Sequence, residues 1–177
     1  KALYIQTLSG GTWTANWSSV LGYDGATRVF DIAYERNSGD AIVVFGHTDG
    51  KLYYRKRVGG VWDSTNQSTG ITLDNDADWV RAESHPTSDD IFVATSTEAA
   101  TLHALRWYGA GNYWDNFLKT TAGVANKDRE GFDLAFERAS GNAFLIWGDP
   151  AKQIQYRRFT TAWQPGVVAY SGLTNNV

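Results

Sequence analysis

The sequence predicts an all-β chain made of repeated four-stranded antiparallel units of about fifty residues. Three observations predict it. One motif returns at regular intervals, a row of tryptophans returns in the same phase, and apolar and polar residues alternate where strands are expected. Eighteen Gly, eight Trp, nine Tyr and eight Phe in 177 residues suit tight turns between aromatic-rich strands.

The first motif is Phe30-Asp31-Ile32-Ala33-Tyr34-Glu35-Arg36-Asn37-Ser38-Gly39-Asp40-Ala41. It returns nearly position for position as Phe132-Asp133-Leu134-Ala135-Phe136-Glu137-Arg138-Ala139-Ser140-Gly141-Asn142-Ala143. A diverged copy, Val80 to Ile91, lies between them. The second motif is an apolar strand leading through a turn to a tryptophan. It runs Leu3 to Trp13, Leu52 to Trp62, Leu102 to Trp114 and Ile154 to Trp163, so the tryptophans are 49, 52 and 49 residues apart. Two motifs sharing one period define the unit.

Each unit reads as four short strands. In the first, Phe30, Ile32 and Tyr34 point one way and Asp31, Ala33 and Glu35 the other. Ser-Gly-Asp then makes a hairpin turn. The second strand, Ala41 to Phe45, is apolar throughout and is expected to be buried on both faces. Thr48-Asp49-Gly50 leads into the third, Lys51 to Arg57, and Gly59-Gly60 into the fourth, from Trp62. No segment has helical periodicity. A twisted sheet with two apolar faces cannot hide both alone, and neighbours around an axis would cover them. The expected architecture is therefore β-propeller-type, with a β-sandwich as the rival.

The expected division is a partial blade at 1–28 and blades near 29–78, 79–130 and 131–177, about three and a half repeats in one repeat domain. A ring needs four or more blades. The chain is thus expected to act with itself or with the rest of a longer chain, as half of a dimeric ring, a fibre subunit or a piece of a larger protein.

Composition narrows the chemistry. There is no Cys, which excludes disulfides, zinc-thiolate sites and cysteine nucleophiles. Sixteen basic against nineteen acidic residues give a net charge of -3, so no basic excess marks a nucleic-acid partner. No apolar run reaches membrane-spanning length, and no membrane insertion is expected. A chain without Met or Cys lacks the side chains oxidised most easily, which leans towards a secreted or cell-surface setting.

Phe30 to Gly46 and Phe132 to Gly148 resemble a divergent bacterial β-propeller repeat. The corner from Leu52 to Trp62 is similar to that of sialidase-like and lectin-like propeller blades. The resemblance covers nearly the whole chain and implies an architecture, since propellers host many unrelated activities. Ser9-Gly10-Gly11-Thr12-Trp13 keeps part of the Asp-box of sialidase-type blades without its Asp, and there is no Arg-Ile-Pro motif. Capture of a carboxylate by three arginines, which sialidases use, would need Arg28, Arg81 and Arg129 to converge. Aromatic strand ends resemble those of fucose-binding propeller lectins, without a complete sugar-binding set.

Several residues could carry function. Tyr53, Arg55, Tyr156 and Arg157, on third strands, pair basic with aromatic side chains and could hold an anionic glycan. A solvated outer strand protected by charge is the alternative. Asp74, Asp76 and Asp78 alternate as calcium ligands do, against a solvated linker; calcium is the one cofactor in view. His47, His85 and His103 lack metal-ligand spacing. Asp31, Arg81 and Asp133 share one repeat position and read as an ion-pair ladder between units, the alternative being a catalytic carboxylate pair with an arginine electrophile, and Glu35, Glu83 and Glu137 read as a second set in register. Trp13, Trp62, Trp114 and Trp163 read as equivalent buried wedges. No nucleophile elbow, P-loop, dinucleotide fingerprint or zinc-protease motif is present.

These readings favour a non-catalytic extracellular or surface module for binding or assembly. A glycan-binding propeller lectin is the first alternative, and a sialidase-like glycan-processing enzyme the second.

Overall fold

A computed structural model describes residues 1–22, 27–120, 123–126 and 128–174. The described residues form fifteen strands and no helix, so none is long and apolar enough to cross a membrane. The strands make four antiparallel sheets. The first holds β1 (Ala2–Ser9) and β2 (Thr12–Val20). The second holds β3 (Phe30–Tyr34), β4 (Ala41–Gly46), β5 (Lys51–Val58), β6 (Val61–Trp62) and β7 (Gln67–Thr72). The third holds β8 (Ala77–Ser84), β9 (Ile91–Thr97), β10 (Leu102–Tyr108) and β11 (Tyr113–Thr120). The fourth holds β12 (Phe132–Phe136), β13 (Ala143–Gly148), β14 (Gln153–Phe159) and β15 (Val167–Ser171). Among the described residues the sheets close no ring.

The repeat fixes the register. Phe30 stands opposite Phe45 and Phe45 opposite Tyr53, and Phe132 opposite Trp147 and Trp147 opposite Gln155. The turn between the first two strands needs a residue at positive φ, and Gly39 and Gly141 both adopt φ 72° there. The fourth strand of the second sheet is broken into β6 and β7, unlike the continuous strand the repeat predicts. Side chains satisfy the backbone at the break: Lys56 N–H donates to the Asp63 carboxylate, and Arg55 donates to the Asp63 carbonyl and to Asn66.

The sheets stack through three apolar clusters. Leu3, Leu21, Val43 and Phe45 join the first sheet to the second. Ile42, Val44, Leu52, Ile91, Leu105 and Trp107 join the second to the third. Phe92, Leu102, Leu134, Leu145, Trp147 and Phe159 join the third to the fourth. Successive residues of β4 and β9 point into different clusters, and both strands are buried throughout. Polar side chains are buried in this packing too, and Glu35 is bonded to two sheets at once. Glu35, 3% exposed, accepts from Lys56 Nζ at 2.9 Å and from Trp107 Nε1 at 2.7 Å, while Lys56 also donates to Asn112.

Two sequence expectations need correction. Trp13 is 64% exposed, not a buried wedge, and Trp62, Trp114 and Trp163 are half-buried. The four tryptophans do share a ladder position, opposite Leu8, Arg57, Trp107 and Phe159. Trp62 packs on Trp17 at 5.8 Å, Trp114 on Tyr54 at 5.4 Å and Trp163 on Phe92 at 5.5 Å, each on the preceding sheet. Trp13 belongs to the first sheet, and among the described residues no sheet precedes it. Glu83 is also out of register with Glu35 and Glu137. It pairs with Phe92, as Ala33 pairs with Ile42, and His85 takes the glutamate position.

Truncating a tryptophan should therefore cost different amounts at different sheets. Trp107→Ala removes a ring 2% exposed and a donor to buried Glu35, and should lower unfolding stability by about 3–5 kcal/mol. Trp13→Ala should stay within about 0.5 kcal/mol of the parent chain. Urea denaturation followed by circular dichroism measures both.

Candidate binding surfaces

The first strands β3, β8 and β12 lie side by side and bring charged residues together. Arg28 lies 3.7 Å from Asp31 and 3.3 Å from Glu130, and Arg81 3.4 Å from Glu130 and 2.9 Å from Asp133. Asp31 also accepts from the Ala82 N–H at 2.9 Å. The ladder position therefore ties three sheets together, but Asp31 bonds the backbone beside Arg81, and Arg28 is its ion-pair partner. Glu130 is an addition that the repeat did not signal, because it precedes the motif. Burial pushes the Glu83 carboxyl above its usual range, while Arg81 pulls it down. Arg28 and Arg81 do converge on a carboxylate, and it is the chain's own Glu130.

The four residues read as a glycan-holding set are not brought together. Tyr53 stacks on Phe45 and donates to Asp49 at 2.9 Å. Arg55 lies 4.4 Å over the Trp17 ring and lines a cleft of about 540 Å³ with Asn16, Trp17, Trp62, Asp63 and Ser64. Arg157, at the same ladder position in the fourth sheet, donates to the Gln164 carbonyl as Arg55 does to that of Asp63. Both carbonyls directly follow a repeated tryptophan. Tyr156, which points to the opposite side of β14 from Arg157, packs beside Phe144 at 6.1 Å.

Asp74, Asp76 and Asp78 do not converge either. Among the described residues no group of three His, Asp or Glu side chains is arranged to hold a metal. Asp74 accepts from Thr97, Thr101 and His103 Nε2, the last at 3.0 Å. Asp76 uses its carbonyl to accept from the Glu98 N–H, and Asp78 is buried in β8. Desolvation works against ionisation of Asp74, but the bonds from Thr101 and His103 outweigh it and hold the carboxyl far below its usual range. Burial pushes His103 below the ordinary histidine value, only partly opposed by Asp74. A neutral His103 therefore donates from Nε2 to the carboxylate.

The ends of the stack are the remaining surfaces. At one end Tyr4, Leu8, Trp13, Ile32 and Tyr34 are exposed. Between β1 and β3 there is a groove of about 470 Å³ that includes Leu8, Trp13, Ile32, Tyr34 and Trp62 in its walls. At the other end Phe144, Ile146 and Tyr156 line an open apolar hollow of about 290 Å³ on the fourth sheet. Ile146 is 42% exposed, whereas Val44 and Ala94, at its position in the second and third sheets, are fully buried.

No protein-family model matches the chain, and no curated protein matches it. A solved structure similar to it is a triple arginine-to-alanine mutant of AofleA from Arthrobotrys oligospora, at 14% identity and a TM-score of 0.49. The likeness covers 98% of this chain and 52% of that one, so this chain spans about half the length of that protein.

Two tests follow from the buried and half-buried charges. Arg81→Ala leaves Glu130 and Asp133 without a shared cation and should cost about 1 kcal/mol, since the pairs are partly exposed. A thermal melt at low salt reads the loss. The second is a pH dependence. The unfolded chain protonates His103 below the ordinary value of 6.5 while the folded chain keeps it neutral, so stability should fall as pH drops through 6.5. Asp74 adds a second loss at lower pH. Its contribution is complete above 3.8 and disappears as pH falls through its lowered folded value. Melting His103→Gln beside the parent from pH 8 to pH 4 should show a flatter curve for the variant between pH 7 and pH 5.

Proposed function

We propose that this chain is a non-catalytic β-propeller-type module, secreted or displayed at a cell surface, that works by binding or assembly. The observation that carries this reading is that both ends of the stack expose apolar faces whose equivalents are buried inside it. Contiguous apolar surface of this kind marks interaction sites. The charged residues on the first strands support a structural role, because Arg28, Arg81, Asp31, Glu130 and Asp133 are engaged with one another or with backbone. The lack of Cys and Met supports an oxidising setting.

A glycan is the second reading, favoured by the cleft that Trp17, Arg55, Trp62 and Asp63 line. Aromatic faces beside a few polar groups suit a sugar ring. Calcium takes no part in either reading.

Light scattering on the purified chain from micromolar to millimolar concentration separates them. The leading reading expects mass to rise with concentration. A constant monomer mass together with specific hits on a glycan array would support the second reading and overturn the first. Turnover of an aryl sialoside above the rate of an Arg81→Ala variant would overturn both and point to a sialidase-like enzyme.

A further inference from the structure

The two exposed ends are the two halves of a junction that the chain already builds internally. At the second-to-third junction, Trp114 enters against Tyr54. At the third-to-fourth junction, Trp163 enters against Phe92. The ladder gives each receiving ring a counterpart on the open fourth sheet. Tyr54 stands opposite Val44, and Tyr156 opposite Ile146 at the same repeat position. Phe92 stands opposite Arg106, and Phe144 opposite Arg158. The fourth sheet thus carries both kinds of receiving ring side by side, and among the described residues no tryptophan ring packs on either. The first sheet carries the reverse: Trp13 at the wedge position with no receiving ring among the described residues, and Leu8 where Trp107 and Phe159 stand in their junctions.

We propose that the occupant of the fourth sheet's open face is the first sheet of a second copy of this chain, with Trp13 seated between Phe144 and Tyr156. This deepens the assembly reading and rests on it. The contact is heterologous, so one copy's wedge end meets the other's receiving end and each dimer keeps one free end of each kind. It is also small. A two-stranded sheet with strands of eight and nine residues is roughly 30 Å by 10 Å, less than a standard interface of about 800 Å² per partner. Association is accordingly weak and graded with concentration, and its energy concentrates in the aromatic rings.

The test uses complementary variants followed by sedimentation velocity, with thermal melts as the check on folding. Trp13→Ala destroys the wedge end and keeps the receiving end, whereas Tyr156→Ala does the reverse. Each alone should associate roughly tenfold more weakly than the parent or worse, with little change in melting temperature. Mixed in equal amounts they should form one-to-one dimers and nothing larger, since the intact wedge of one fits the intact receiving face of the other and no second good junction remains. If the parent associates but the variants do so equally well, or their mixture shows no recovery, this seating is wrong while the assembly reading stands. A parent chain that stays monomeric at millimolar concentration overturns both, and leaves the open face to a flanking segment or an unrelated partner.

Discussion

Strands β4 and β9 have no side that faces water. A strand paired on both edges and apolar on both faces is stable only if a neighbouring sheet lies over each face, and most of the fold follows from that requirement. It dictates that the sheets stack. It dictates alternation of clusters along each second strand, with Ile42 and Val44 turned one way and Val43 and Phe45 the other. It also explains why Glu35, a carboxylate 3% exposed between two sheets, is bonded both to Lys56 of its own sheet and to Trp107 of the next. An unpaired charge there would cost more than the apolar packing around it returns.

The repeat was legible in the sequence because strand pairing needs the same residue types at the same ladder positions. Phe30 and Phe132, or the four tryptophans, could be aligned before any contact was known. What periodicity does not report is whether a position has a neighbour. Trp13 occupies the place of Trp62 in the ladder and differs from it only in what lies in front of it. The register of the diverged copy was obscured for another reason. Val80 to Ile91 lacks the glutamate landmark, so Glu83 stood in for it until its pairing with Phe92 placed His85 there instead.

The candidate sites were less legible, for local reasons. Asp74, Asp76 and Asp78 alternate in sequence, but the chain enters β8 between the first and the last, so strand-like alternation does not hold across them. Asp74 is drawn away to Thr101 and His103, which lie far along the chain. Arg55 and Arg157 look like free surface cations in the sequence. Each spends a guanidinium N–H on the carbonyl after a repeated tryptophan, a contact visible only once the strands pair.

The third sheet departs most from the repeat, and its departures point outward. Asp89, where the other copies have glycine, accepts from the Asn37 and Ser38 N–H groups in the second sheet's turn. His85, where they have glutamate, takes Thr87 and Ser88 N–H donors on Nδ1, which leaves Nε2–H to donate to the Gly141 carbonyl in the fourth sheet's turn. One unit thus ties the turns on both sides of it. Repeat arrays grow and shrink by unequal recombination between similar copies, and that process treats units as exchangeable. Here they are not. An event that deleted this unit would leave the turns of its two neighbours without these ties, so the diverged copy is not interchangeable with the units it separates.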